Sequence, residues 1–141
     1  MFSQIILIFA RYCWFRRLNV QSADYTEWVE MKYAIIAAGE GSRLSEEGIK
    51  DPKPLIKVDG EPLVDRLIRI FMENDATEIV IICNDMTTLV SEHLREIQRD
   101  GVNGTPVRLR VIVKSTPSSM HSFFEISDYL KDEPFCLTTV D

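Results

Sequence analysis

The chain has 141 residues, of which 45% are hydrophobic and 27% charged, and its formal net charge is −6. This length suits one domain with its own core, and the composition excludes a disordered, collagen-like or disulfide-scaffold chain. The acidic balance disfavours nucleic acid as a partner, because polyanions attract basic surfaces. The three cysteines, Cys13, Cys83 and Cys136, show no C-x-x-C spacing and indicate reduced thiols in a cytoplasmic protein.

Residues 1–30 differ in character from the rest of the chain. The apolar run 5–10 is too short for a membrane span, and arginines follow it, whereas a secretory signal carries its positive charges in front. Membrane association is therefore disfavoured. A natural first strand begins just after Met31, so we predict an extension at 1–30 and the domain at 31–141.

Beyond Met31, strands and helices alternate along the sequence. Three helical patterns are predicted: one from about Pro62 to Met72, one over 87–99, and one that follows Pro117 and reaches Leu130. Runs rich in branched residues predict four strands, at 33–38, 79–83, 107–113 and 135–140.

This alternation predicts an α/β fold, with a parallel sheet covered by helices on both faces. In such folds ligands bind beyond the carboxyl ends of the strands. Functional residues are therefore expected after positions 38, 83, 113 and 140.

The connection at 39–61 is too long for an ordinary α/β loop, and long loops in compact domains are commonly functional. Gly39 and Gly41 would allow strained turns and let backbone N–H groups approach an anion. Arg43 offers a planar fork of donors, and Lys53 is a point charge held between two prolines. Together these residues predict a site for a polyphosphate.

Two familiar glycine motifs do not fit this loop. A P-loop requires a lysine directly after its last glycine, and none is present. A dinucleotide fingerprint requires Gly or Ala at its sixth position, where this sequence has Leu44. These mismatches argue against an NTPase of the P-loop type and against an oxidoreductase on a dinucleotide fold.

The stretch Ala34–Leu44, AIIAAGEGSRL, followed by PKPL at 52–55, resembles the nucleotidyltransferases that include sugar-1-phosphate nucleotidyltransferases and molybdenum-cofactor guanylyltransferases. The resemblance extends over essentially everything after Met31. It implies a three-layer, Rossmann-like, mostly parallel sheet. It also implies transfer of a nucleoside monophosphate from a nucleoside triphosphate to a sugar phosphate or similar phosphorylated acceptor, with release of pyrophosphate.

The same resemblance implies roles for individual residues. Arg43 would hold the leaving phosphates and Lys53 would contact the α-phosphate, which makes these two the catalytic residues. Asp141 matches the aspartate that binds Mg²⁺ in the family. Ser118 and Ser119 match the place where relatives contact the nucleobase, although helix N-capping explains these serines equally well. The nucleotide-binding set is Ala38, Gly39, Gly41, Ser42, Ser118 and Ser119.

Relatives of this kind continue for about another hundred residues, so the resemblance implies a sheet truncated after its fourth strand. We expect such a chain to bind nucleotide and to turn over little unless a complementing polypeptide or a second copy completes the site. The alternative is a non-catalytic nucleotide-binding or protein-interaction module. His93, expected on a helix surface, and His121, near a helix start, receive no role.

Overall fold

Four parallel strands form the central sheet of the computed structural model, which describes residues 31–39, 46 and 48–140. The helices are α1 (Leu63–Glu73), α2 (Thr88–Asp100) and α3 (Ser119–Ile126). In chain order the strands are β1 (Lys32–Ala37), β2 (Lys57–Val58), β3 (Glu61–Pro62), β4 (Ile79–Cys83), β5 (Leu109–Val113) and β6 (Phe135–Thr139). The central sheet has the order β5-β4-β1-β6, and all four predicted strands and three predicted helices are confirmed.

The two inner strands, β1 and β4, are apolar without alternation because helices cover both faces of the sheet. All five residues of β4 are buried, and so are all residues of β1 after Lys32. The register pairs Ile35 with Ile81. This pairing brings the carboxyl ends of the two strands to one edge.

The core is divided into two layers by the sheet. On one face, α1 and α2 pack their buried residues, such as Ile68 and Leu94, against Ile35 and Ile81. On the other face, Ile126 and the short 3₁₀ helix Ser127–Leu130 cover Ile82 and its neighbours. The predicted three-layer α/β fold is therefore confirmed.

A small antiparallel hairpin, β2–β3, stands apart from the main sheet and was not predicted. Its turn is Asp59-Gly60, and both residues have positive φ, 54° and 82°. An Asp-Gly pair is a strong hairpin signal, because a two-residue turn requires this left-handed backbone. The two-residue strands are too short to show the alternation by which strands are recognised.

Cys83 is a buried free thiol and Cys136 is partly buried, whereas Cys13 lies outside the described residues. Burial raises the pKa of the Cys83 thiol. No helix within the described part of the chain is long and apolar enough to cross a membrane. The predicted extension at 1–30 also lies outside the described residues, and the domain boundary at Met31 stays a prediction.

Candidate functional site

A cleft of about 200 Å³ lies at the carboxyl ends of β1 and β4, where the fold predicts a ligand site. We call it the strand-end cleft. Four segments of the chain border it: the end of β1, the turn before and within the 3₁₀ helix, the residue after β4, and the start of α2. Its lining residues are Ala37, Gly39, Lys50, Asp51, Pro52, Lys53, Pro54, Asn84, Met86, Thr87, Leu89 and Val90.

Gly39 keeps one wall of the cleft open. A Cβ atom built on this exposed residue meets nothing within 4 Å among the described residues, and its φ is not in the left-handed region. The expectation of a strained turn at Gly39 is therefore wrong, because the described backbone there is one that other residues can adopt. The missing side chain instead leaves room for a ligand beside the backbone.

Lys53 is positioned by a short 3₁₀ helix, Lys53–Leu55. The Leu55 N–H donates to the Pro52 carbonyl at 2.8 Å, and Pro54 is buried. Because the flanking prolines also fix their own φ angles, the backbone of Lys53 has little freedom. The predicted lysine therefore lies at the cleft on a rigid turn, together with Gly39.

The amino-terminal end of α2 borders the cleft on the opposite side. Thr87 is its N-cap, and its Oγ1 accepts a hydrogen bond from the Leu89 N–H at 3.3 Å. The N-terminus of a helix carries a partial positive charge, which favours an anion nearby. With Lys50 and Lys53 against the single carboxylate of Asp51, the described lining carries a net positive charge.

Asn84 follows β4 directly and is a lining residue that the sequence analysis did not select. Its side chain is buried, and Nδ2 donates to the carbonyl oxygens of Ala38 and Gly39, at 3.4 and 3.3 Å. Its Oδ1 is buried and has no hydrogen-bond partner among the described residues. The sequence did contain a signal for Asn84: it is a polar residue directly after a buried strand, at the edge of the sheet where ligands bind.

Ala38 itself is buried and does not line the cleft. At this edge of the sheet Ala38 acts through its backbone, because its carbonyl accepts a hydrogen bond from Asn84. Its assignment to the nucleotide-binding set stays a prediction.

Ser118 and Ser119 lie at the start of α3 and are not among the residues that line the cleft. Ser118 is the N-cap: its Oγ accepts from the His121 N–H at 3.5 Å and also contacts His121 Nδ1 at 2.8 Å. The capping interpretation of Ser118 is therefore confirmed, and Ser119 is the first, exposed residue of the helix. Contact of either serine with a nucleobase stays a prediction.

The loop that leads from β5 toward these serines is nevertheless tied to the loop after β4. The Lys114 N–H donates to the Cys83 carbonyl at 2.8 Å, and the Asp85 N–H donates to Ser115 Oγ at 3.4 Å. The Ser115 hydroxyl in turn donates to the Asp85 carboxylate. The polar segments after β4 and β5 therefore meet at the same edge of the sheet as the strand-end cleft.

Four predicted site residues, Gly41, Ser42, Arg43 and Asp141, lie outside the described residues. Convergence of Arg43 with Lys53 thus stays a prediction. The residue before Asp141 is placed: Val140 is buried, and its N–H donates to the Ile36 carbonyl at 2.9 Å.

A second concavity, about 410 Å³, lies away from the strand ends, and we call it the acidic hollow. It is bordered by the β2–β3 hairpin, the start of α1 and the end of α2. Asp59, Glu61 and Asp65 line it, and its described lining includes neither lysine nor arginine. Glu61 binds Arg69 through two hydrogen bonds, of 2.9 and 3.0 Å, which hold the pKa of that carboxyl below its usual range.

His93 joins α2 to α1 and is not part of the cleft. Its Nε2 lies 2.5 Å from Asp65 Oδ1, and the two side chains are 26% and 21% exposed. His93 is therefore only partly exposed, whereas the sequence predicted a surface position. The contact with Asp65 was not predictable from helix spacing, because the two residues are 28 positions apart in the sequence. The hydrogen bond to Asp65 raises the pKa of His93.

Residues 33–141 match the family model of the MobA-like NTP transferase domain. The chain belongs to this family. The match covers the strand that enters the cleft, the lysine turn and all the helices described above. The resemblance drawn from the glycine loop and the PKPL segment is therefore confirmed.

Relatives of this MobA-like chain include the glucose-1-phosphate cytidylyltransferase of Salmonella typhimurium, 27% identical over 129 residues, which cover 77% of the chain and 49% of the relative. The chain thus spans about half the length of that enzyme. Among solved structures, the inositol-1-phosphate CTP transferase of T. maritima is 26% identical with a TM-score of 0.59, covering 79% of this chain and 44% of the other. HddC from Yersinia pseudotuberculosis, complexed with GMP-PN, is 19% identical with a TM-score of 0.63, at 79% and 48% coverage, and supports the fold.

Proposed function

We propose that this chain is the nucleotide-binding half of a nucleotidyltransferase, and that the strand-end cleft binds the phosphates of a nucleoside triphosphate. One observation carries the proposal: an open glycine, a lysine on a rigid turn and a helix N-terminus border the same cleft, at the carboxyl ends of the two central strands. Each of these groups favours a polyanion, and their joint position is the usual ligand edge of an α/β sheet.

In the proposed reaction an oxygen of a phosphorylated acceptor attacks the α-phosphorus of the nucleotide. The bond from that phosphorus to the bridging oxygen of the β-phosphate breaks, and pyrophosphate leaves. Lys53 would neutralise charge on the α-phosphate and Arg43 charge on the leaving phosphates, while backbone N–H groups of Gly39, Gly41 and Ser42 would orient the chain of phosphates. Ala38, Ser118 and Ser119 complete the proposed nucleotide contacts.

The proposed metal ion is Mg²⁺ at Asp141. The described residues contain no group of three or more His, Cys, Asp or Glu side chains that could hold a metal by themselves. Magnesium is usually held by one or two carboxylates together with phosphate oxygens and water, so a single aspartate suits a metal shared with the nucleotide. The preceding residue, Val140, bonds to β1 through the Ile36 carbonyl. When bound, Mg²⁺ would add positive charge against the phosphates.

The acceptor class follows from the relatives, whose names specify glucose-1-phosphate and inositol-1-phosphate. We propose a sugar phosphate or a similar phosphorylated alcohol. The chain spans about half the length of these relatives, and we expect it to bind nucleotide. We place the activity in the cytoplasm, where free thiols persist.

The test is calorimetric titration of the chain with each Mg²⁺–nucleoside triphosphate. Lys53→Ala should weaken binding more than about tenfold, because it removes a charge at the phosphates. Lys57→Ala is the matched control: it removes the same charge from β2, outside the cleft, and should bind like wild type. Equal affinities of wild type and Lys53→Ala, or no binding by wild type to any of the nucleotides, would refute the proposal.

A protein-interaction module is the second candidate, favoured by exposed apolar side chains on α3 and β6. Met120, Phe124 and Phe135 are 60%, 63% and 44% exposed, and the ring of Phe123 lies 6.0 Å from that of Phe135. An apolar group of this kind is typical of a surface that another protein covers. This candidate predicts no difference between wild type and Lys53→Ala in the nucleotide titration.

A further inference from the structure

Asn84 connects the two strands that end at the cleft. It follows the last residue of β4, and its Nδ2 bonds to two successive carbonyl groups beyond β1, those of Ala38 and Gly39. These are long-range contacts, since the partners lie 46 and 45 residues away. One side-chain amide therefore fixes the start of the segment that carries the glycine motif.

The orientation of this amide is set by its partners. Nδ2 is the only donor of an asparagine side chain, and both groups facing it are carbonyl oxygens. The opposite orientation would place Oδ1 against two other acceptors. The arrangement leaves Oδ1 buried without a hydrogen-bond partner among the described residues, which costs free energy.

Holding the carbonyls has a direct electrostatic consequence for an anion in the cleft. A carbonyl oxygen carries partial negative charge, so a carbonyl free to turn into the cleft would repel a phosphate. In a planar trans peptide the carbonyl of Ala38 and the N–H of Gly39 point in opposite directions. When Asn84 holds that carbonyl, it therefore also fixes the direction of the Gly39 N–H, on a residue that lines the cleft.

We infer that Asn84 is a positioning residue for phosphate binding: it holds the Ala38 and Gly39 carbonyls away from the ligand, so that the backbone presents donors to it. The inference rests on the proposed function, since it assumes that the cleft takes a polyphosphate. In this inference Asn84 acts on the backbone of the loop after β1 and does not contact the nucleobase. The effect of losing Asn84 should therefore be the same for any ligand that carries the triphosphate.

The experiment compares Asn84→Leu with Asn74→Leu. Both replacements remove an amide that donates to backbone carbonyls and add no charge; Asn74 Nδ2 donates to the Ile70 carbonyl at 2.7 Å, outside the cleft. Asn84→Asp is a second variant with the original shape, in which an oxygen replaces the donor; because it also adds negative charge at the cleft, Asn84→Leu decides the positioning role. Affinities for a Mg²⁺–nucleoside triphosphate and for Mg²⁺–tripolyphosphate are measured by calorimetry, at a temperature where thermal melts show each variant folded.

We expect wild type to bind both ligands, and Asn84→Leu and Asn84→Asp to weaken both by the same factor, more than about tenfold. Asn74→Leu should bind both ligands as wild type does, even if its melting temperature falls as much as that of Asn84→Leu. Unchanged binding by the Asn84 variants would overturn the inference and leave the proposed function standing. A loss confined to the nucleotide would also overturn it, because Asn84 would then contact the base or ribose. Failure of wild type to bind either ligand would overturn the proposed function as well.

Discussion

The acidic hollow and the strand-end cleft differ in both size and charge: the hollow is larger and negative, and the cleft is smaller and positive. The acidic hollow is the larger, about 410 Å³ against about 200 Å³, and is bordered by the carboxylates of Asp59, Glu61 and Asp65. The strand-end cleft is smaller and is bordered by two lysines and a helix N-terminus. Volume would select the acidic hollow, whereas a polyphosphate requires the positive lining and the position at the strand ends.

Two of the three carboxylates of the acidic hollow have partners that explain them without a ligand. Glu61 is held by Arg69, and Asp65 by His93. In the strand-end cleft, by contrast, Asn84 leaves a buried acceptor without a partner among the described residues. The fold accounts for groups that it satisfies, whereas a buried polar atom without a partner still requires an explanation.

The largest expected effect is from charge reversal in the strand-end cleft. Lys53→Glu should reduce the affinity for Mg²⁺–nucleoside triphosphate by more than about 100-fold at low ionic strength, because an attraction becomes a repulsion, and the loss should shrink as salt screens it. Calorimetry at two salt concentrations measures this. Asp59→Asn is the control in the acidic hollow, since Asn also tolerates the φ of 54° there; it should leave affinity within about twofold. A comparable change from Asp59→Asn would show that charge in the hollow matters for binding.

A smaller effect is expected from filling the open wall of the cleft. Gly39→Val adds methyl groups where a Cβ meets no described residue within 4 Å, so the fold should be stable while a phosphate loses its approach to the backbone. We expect about a tenfold loss of nucleotide affinity with little change in melting temperature, and an intermediate loss for Gly39→Ala. If Gly39→Val binds nucleotide as wild type does, the phosphates do not approach this residue.

The smallest effect concerns stability at the acidic hollow. The hydrogen bond that His93 donates to Asp65 raises the pKa of His93 above its ordinary value of 6.5. Burial and the charge of Lys57 lower this pKa, whereas the negative charges of Asp65 and Glu96 raise it further. Because the folded-state pKa exceeds that of the unfolded chain, the stabilisation is complete below about pH 6.5 and is lost as the pH rises through the raised value. His93→Gln should therefore cost about 1–2 kcal/mol of unfolding free energy near pH 5.5 and less near pH 8.5.

Urea unfolding at both pH values measures this difference. Asp65→Asn should remove the same pH-dependent part, and the double variant should lose little more than either single one. Nucleotide affinity should not change in any of the three. A cost for His93→Gln that grows with pH would contradict the direction of the pKa shift.

The fold was predictable because its signals are local. The buried strands β1 and β4 are unbroken apolar runs, and α1 shows its apolar stripe directly after Pro62, so element type and order follow from short windows of sequence. The hairpin at 57–62 was not predicted because each of its strands has only two residues, although its Asp-Gly turn is a hairpin signal. The spatial order of the strands, β5-β4-β1-β6, was not predicted, because no short window of sequence records which strands are neighbours.

The site was predictable only in part because its contacts join distant segments. Gly39 and Lys53 were selected from the motif and line one cleft. The bonds of Asn84 to the end of β1 and of His93 to Asp65 depend on packing between elements that sequence spacing does not record. Ser118 shows the opposite case, since a local capping rule accounts for its observed contacts.

The turn that carries Lys53 has a thermodynamic consequence for any ligand. With Pro52 and Pro54 on either side and hydrogen bonds across the turn, backbone conformational entropy at this position is already lost when the chain folds. At this turn, ligand binding then restricts mainly the rotatable bonds of the Lys53 side chain. Replacing Pro52 with a flexible residue would move part of that ordering from the folding step to the binding step, and would weaken association although the lysine itself is unchanged.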